Sequence, residues 1–357
     1  MSDASPAVPP RRSRLGLFVP FVLLGLIIAA WVTAWFVIRD RASGALDIWL
    51  AQEAGLGRQW TCPNRAVGGF PFRLKVTCDS LSLQRADSLV SLGAVSAVAQ
   101  VYQPRHIIAH IAGPLRASAG PITVEGQWRA LQASFRTAEA GLQRASLAVD
   151  GPAFRVAGAT PGDVEVSGER LETHVRPSPA RATSDGAYDW TLAGSKLVIP
   201  GLDYLIGGTE PADLDLQLTA TQSRDLAARP VPEELERWRQ AGGRLEIARL
   251  ALTKGERRIE GKGEVGLDEV HRPQGRAELA AANLDGLLGT FTGGRNAATA
   301  ALLGALIGRS AVPETPPSGE AQGANPALRR LPPLHIEGGR IRLGPLTVPG
   351  IRVAPLY

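Results

Sequence analysis

Five histidines, two cysteines and a few closely spaced acid pairs are the side chains through which this 357-residue chain could do chemistry. The segment Gly261-Lys262-Gly263-Glu264-Val265-Gly266 has G-x-G-x-x-G spacing. In a dinucleotide site that spacing follows a buried parallel strand and opens a helix whose N-terminus receives the pyrophosphate. Here Glu256–Glu260 is too polar for a central strand, and Asp268–Gly275 contains Pro273 and reads as a turn. Glycines alternating in a hairpin account for the match. It is not a P-loop either, because Gly263 follows Lys262 where Ser or Thr would bind magnesium. His106 and His110 are four apart among isoleucines, which indicates a strand, where side chains four apart are separated by about 13 Å and chelate poorly. His174, His271 and His335 have no acid or thiol neighbour that suggests a catalytic group, and no G-x-S-x-G, S-x-x-K or H-E-x-x-H occurs. Asp163/Glu165 and Asp213/Asp215 alternate with valine or leucine, as on the wet face of a strand; glycosidase acids or calcium ligands would need further partners. No catalytic residue, metal or cofactor is expected.

The charge balance of 39 basic against 34 acidic residues suggests a nucleic-acid or membrane binder. Its distribution removes the first. Arg11, Arg12, Arg14 and Arg39 flank one apolar stretch with only Asp3 against them, leaving 35 basic and 33 acidic residues beyond it. Such a body offers no phosphate-gathering face, so no nucleic acid is expected. The stretch itself, Leu15 to Ile38, holds no charged residue. Its 24 residues would span about 36 Å as a helix, more than the ~30 Å hydrocarbon core of a bilayer. The heavier positive charge before it keeps the N-terminus cytoplasmic. This implies a single pass through the bacterial inner membrane, a periplasmic bulk, and Trp31, Trp35 and Phe36 in an aromatic belt at the far side. A cleaved signal peptide with Val32-Thr33-Ala34 as its site is the alternative, although such apolar regions usually have only about 7–15 residues.

Export bears on Cys62 and Cys78. Two cysteines do not make a four-ligand zinc site, and their spacing is not C-x-x-C. In an oxidising compartment one disulfide is the economical reading, fastening a loop to a strand near the membrane; two unrelated buried thiols are the other.

Past the anchor, Ala42 to Gly57 suits a short amphipathic helix (Leu46, Trp49, Leu50). From Phe70 the period is two, with Phe70, Phe72, Leu74, Val76 and Cys78 on one face. The alternation returns at Ile122–Trp128, Asp213–Thr219 and Arg244–Ile247. The 40 glycines and 27 prolines punctuate hairpins and meanders. One helix starts at Pro232 and stops at Gly242-Gly243. A second is capped by Asn283, with Leu284, Leu287, Leu288 and Phe291 on one side, and a weaker one follows at Ala297–Ile307. The expected organisation is a cytoplasmic tail (1–14), transmembrane anchor (15–38), juxtamembrane helix and loop (39–69), β-rich domain with late helices (70–308), Pro-rich linker or loop (309–333) and closing strands that return to the sheet (334–357). The fold class is predominantly β: an elongated antiparallel sheet, curled or open, with a few short helices behind one transmembrane helix.

Apolar residues repeat on one strand face over hundreds of residues, while aromatics are only 5% of the chain. An ordinary packed core explains this. A sheet curled around a lipid-sized groove, lined by aliphatic side chains that suit acyl chains, explains it too.

Several segments resemble a known family. Trp60-Thr61-Cys62, then Gly69-Phe70-Pro71-Phe72-Arg73 and Cys78, is similar to the opening of an uncharacterised membrane-anchored proteobacterial family, domain of unknown function 2125. Tyr102-Gln103-Pro104 and Gly113-Pro114 resemble its next stretch, and Gly261 to Leu288 and Gly338 to Leu356 look like it and like AsmA-like envelope proteins. The resemblance covers roughly residues 45–357, with the Cys62–Cys78 block its most specific part. It implies an exported β-rich domain on an inner-membrane anchor. AsmA-like proteins are linked to phospholipid transport or outer-membrane homeostasis, and no catalytic residues carry over. The expectation is therefore a non-enzymatic protein that binds or handles phospholipid. Phe70, Phe72, Leu74 and Val76 would line the groove entrance, and the region from Asn283 (Leu284, Leu287, Leu288, Phe291) would gate it. A binding module for an envelope protein partner is the alternative, and a hydrolase with a noncontiguous site the third reading.

Overall fold

The computed structural model describes residues 15–139, 141–158, 163–224, 231–283 and 328–357. The chain enters as one unbroken helix, α1 (Leu15–Gly55). It is the one helix among the described residues long and apolar enough to cross a membrane. The helix expected over Ala42 to Gly57 follows the apolar run without a break and ends at Gly55.

After α1 the chain forms strands β1 (Gln59–Thr61), β2 (Ala66–Gly68), β3 (Arg73–Cys78), β4 (Leu81–Gln84), β5 (Ser88–Leu92), β6 (Val95–Gln100) and β7 (Gln103–Ile111). There follow β8 (Leu115–Ala119), β9 (Ile122–Gln127), β10 (Ala130–Ala138), β11 (Gly141–Asp150), β12 (Ala153–Ala157), β13 (Val164–Ser167) and β14 (Arg170–Pro177). All pairings are antiparallel, in a 7-stranded sheet ordered β1-β4-β5-β8-β9-β12-β13 and a 16-stranded sheet that holds the rest. The two alternate because each long strand is bent once: β3 runs into β4, β5 into β6, β7 into β8, and so on to β13 and β14. Hydrogen bonds continue across the bends, as in Gly93 N–H to Ala112 O (3.1 Å), Arg129 N–H to Asp150 O (2.9 Å) and Gly151 N–H to Glu169 O (2.7 Å). The result is a meander of long strands creased along one line.

Beyond the crease only the longer sheet continues, through β15 (Tyr188–Leu197), the helix α2 (Pro200–Ile206), β16 (Ala212–Ala220) and the helix α3 (Val231–Gln240). Then come β17 (Leu245–Lys254), β18 (Arg257–Leu267), β19 (Pro273–Ala282), the two-residue β20 (Arg329–Arg330), β21 (Leu334–Glu337), β22 (Arg340–Leu343) and β23 (Leu346–Arg352). The closing strands do return to the sheet, β21 pairing with β19. The fold is thus predominantly β, antiparallel and open. Of the expected late helices, Leu284, Leu287, Leu288 and Phe291 lie outside the described residues, as do Ala297–Ile307 and most of the Pro-rich segment.

Two expectations near the start of the sheet need correction. Phe70 to Phe72 is a turn with a cis Phe70–Pro71 peptide, and the strand begins at Arg73. The alternation runs through Phe70 and Phe72 because both pack on α1, not because they belong to the ladder. The cysteines do form a disulfide, with Cα atoms 5.2 Å apart. It lies at the crease, between the end of β1 and the end of β3, where it joins the edges of the two sheets. That places it about 17 Å along β3 from the turn.

Candidate functional site

Strand register turns the alternation seen in the sequence into a surface. Leu74, Val76 and Cys78 of β3 face the same way as Ala99, Ala97 and Val95 of β6. Carried strand by strand, three rows of side chains cross the sheet. The middle row runs Val76, Ala97, Ala109, Ala133, Leu147, Thr173, Leu192, Leu216, Leu250, Gly261 and Leu279. The row nearer the crease holds Ile111, Leu131, Val149, Leu171, Leu214, Leu252 and Ile259, and the third holds Leu74, Ile107, Phe135, Val175, Trp190 and Leu218. At about 4.8 Å between strands, eleven strands give a track of about 48 Å.

Beside the crease the floor is covered, Ala133 and Val149 being 4% and 1% exposed, but no layer among the described residues seals the rest of it. Leu147, Leu192, Leu216, Leu250 and Leu279 are all only half-buried, and Phe135 and Trp190 are 45% and 44% exposed. In a closed core such residues are the ones most often fully buried. The floor carries no titratable side chain. Its one hydroxyl, Thr173, donates to Thr191 O (3.1 Å) and accepts from Trp190 Nε1. The opposite face is laced with ion pairs: Arg170 with Asp150 (2.6 Å) and Glu172, Arg176 with Asp189 (3.6 Å), Lys262 with Glu278 (3.2 Å). These pairs, most of them across strands, are where the nearly balanced charges of the body go. At the crease the Trp128 ring packs on Phe154 at 6.1 Å and its Nε1 donates to Ile111 O (2.8 Å). Trp128 thus ties the apolar side of the shorter sheet to that of the longer one.

The expected entrance residues divide into two pairs. Leu74 and Val76 open the floor. Phe70 and Phe72 sit before it, on the turn held by α1. Trp35, 4% exposed, donates to Arg73 O (3.2 Å) and packs edge-on to Phe70 at 5.4 Å; Trp31 donates to Pro71 O (3.1 Å) and packs on Phe72 at 5.6 Å. The sequence placed Trp31 and Trp35 in a belt but carried no sign that they grip the sheet.

The histidines and the acid pairs stay apart from the floor, and only the glycine motif crosses it, at Gly261 and Gly263. Gly261 to Gly266 lies inside β18, antiparallel to β19, with no helix after it. His106 bonds Ser134 (3.1 Å) and His174 bonds Ser146 (2.9 Å). Asp163 and Glu165 pair with Arg155 (3.0 and 3.7 Å). Among the described residues no group of three or more His, Cys, Asp or Glu could hold a metal ion. His271 is the exception to its isolation in the sequence. Glu236 of α3 comes within 3.2 Å of its Nε2, and Tyr357 stacks on its ring at 4.1 Å. Glu236 also takes bonds from Arg239 (2.7 Å), Gln240 (2.6 Å) and Tyr357 (3.2 Å), and the Arg239 guanidinium above all holds its carboxyl down at about 2. Tyr357 is pushed up by burial and by that same carboxylate. These partners fasten the last residues to α3.

No curated protein and no solved structure matches the chain. A family model does, over residues 35–351, from the last turn of the apolar helix segment through every strand up to the closing one. The chain therefore belongs to the family described as an uncharacterized protein conserved in bacteria, DUF2125.

Proposed function

We propose that the protein binds lipid in the bacterial envelope, held in the inner membrane by α1 with its sheets in the periplasm, and that acyl chains lie on the apolar floor of the long sheet. One observation carries this: three apolar rows cross eleven strands without a titratable group, and away from the crease no layer among the described residues covers them. Such a surface can solvate an acyl chain and has nothing with which to attack one, which favours binding over hydrolysis. The Arg11, Arg12 and Arg14 cluster supports the orientation, and the likeness to AsmA-like proteins agrees with a lipid ligand. Leu74 and Val76 form the end of the floor nearest the anchor, where lipid would enter.

The test is native mass spectrometry of the full chain released from detergent, followed by lipid extraction. The wild type is expected to retain phospholipid near one per chain or above. Leu147→Asp and Leu216→Asp put a charge in mid-floor on half-buried positions and should lower retained lipid at least tenfold, while Gln132→Asp on the opposite face leaves it unchanged. A wild type without lipid, or floor variants as loaded as the wild type, would remove the groove and leave the reading of a partner-binding module.

A further inference from the structure

The Phe70–Pro71–Phe72 turn lies beside the apolar part of α1, not beyond it. Its partners are Trp31 and Trp35, while the first charged residue after the apolar run is Arg39. At 1.5 Å per residue Trp31 stands about 12 Å before Arg39 along the helix and Trp35 about 6 Å, and helical side chains lean further toward the N-terminus. Counted from Leu15, a ~30 Å hydrocarbon core reaches about residue 35. The turn is thus level with the last part of the span.

Its exposure fits that depth. Phe70 and Phe72 remain 52% and 56% exposed although each packs on a tryptophan. Tyr102, 67% exposed, sits in the next turn, which is held to this one by Val101 N–H donating to Phe72 O (3.0 Å). Clustered exposed aromatic rings are costly in water and favoured at the membrane–water interface. Arginines surround them. Arg73 follows the turn, and Arg105 and Arg136 line a cavity of about 410 Å³ together with Tyr102. Lipid phosphates are the counter-charges such a rim suits.

We propose that this aromatic turn is a second membrane element, a wedge inserted into the leaflet on the sheet side, which seats the first strands of the sheet on the bilayer. The wedge depends on α1 spanning the membrane and not on the groove.

The full chain is placed in vesicles of phosphatidylethanolamine and phosphatidylglycerol with p-benzoylphenylalanine at Phe72, at Tyr102, or at Val164, which is 44% exposed on the distant β13. Irradiation is expected to give lipid adducts at positions 72 and 102 at least tenfold above position 164. Position 102 does not pack on α1 and reports even if the larger ring at 72 disturbs the docking. Adducts no more abundant than at 164 would overturn the wedge. Adding Leu147→Asp separates the two readings. The wedge expects the position-72 adduct to persist in that variant, and its loss there would assign the lipid to the floor and overturn the wedge.

Discussion

A methyl group on Gly263 would come within 2.4 Å of Arg276 O and 2.8 Å of Ala277 Cα, and one on Gly275 within 2.0 Å of Glu264 O. These are backbone atoms of the paired strand, which cannot step aside without opening the ladder. At Gly261 the methyl would meet Leu279 Cδ2 at 2.5 Å, the far end of a side chain that can rotate, and the nearest backbone atom, Glu278 O, only at 3.3 Å. Gly263→Ala is accordingly expected to lower stability by about 1–3 kcal/mol, the usual cost of overpacking, and Gly261→Ala by less. Urea unfolding of the two variants checks the order; equal midpoints would mean the glycines do not serve close strand approach. At this scale the sequence was readable where a residue's role depends on its neighbours in the chain. The polar flanks of Gly261 to Gly266 already argued against a nucleotide, and the valine and leucine alternation set the acid pairs on a wet face. It was not readable at His271, whose partners Glu236 and Tyr357 are 35 and 86 residues away.

The crease explains which elements could be foreseen. Gly93, Gly113-Pro114, Gly151-Pro152 and Gly168 are turn signals by composition, yet the chain does not reverse there; it bends and passes from one sheet to the other. Local chemistry cannot tell a bend from a reversal, because both need the same permissive residues; strand pairing decides. Helix α2 was also hidden. It has seven residues and no side-chain cap, and much of its hold is tertiary. Lys254 at the end of β17 is 2% exposed, and its Nζ donates to Asp203 of α2 (2.6 Å) and to Glu210 O. Removing one partner of a buried pair leaves the other charge uncompensated, whereas removing both can be nearly neutral. Asp203 is partly exposed, so Lys254→Met should cost about 2–4 kcal/mol, and Lys254→Met with Asp203→Leu should recover most of it. A thermal-denaturation double-mutant cycle measures the coupling. Additive losses would show that α2 is held by its apolar contacts alone.

Helix α1 grips the folded body at two levels, and this fixes how the whole molecule stands. On the membrane side Trp31 and Trp35 hold the turn before β3. Between three and four turns beyond Trp35, Asp47 pairs with Arg65, and Trp49 packs on Trp60 of β1 at 5.9 Å. Glu53 bonds Arg58 (2.6 Å) and Trp60 (3.2 Å), and the Arg58 bond above all holds its carboxyl down at about 2. The helix thus runs along the first edge strands of both sheets, covering edges that would otherwise invite pairing with another chain. Because it is continuous, both grips share one helical register. A single alanine inserted between Arg41 and Ser43 advances everything after it by about 1.5 Å and rotates it by about 100°. The body could then keep Trp31 and Trp35 or keep Asp47, Trp49 and Glu53, but not both. This insertion should lower the thermal midpoint of the full chain in detergent by several degrees and raise hydrogen exchange at either β1 or the Phe70–Phe72 turn. An alanine inserted after Gly120, in the tight reversal between β8 and β9, touches neither grip and should change little. If the helix insertion were as silent as the hairpin insertion, α1 would be a tether. If it is not, α1 is a post of fixed register, and the floor of the long sheet starts at a set distance from the apolar segment of the helix instead of swinging from it.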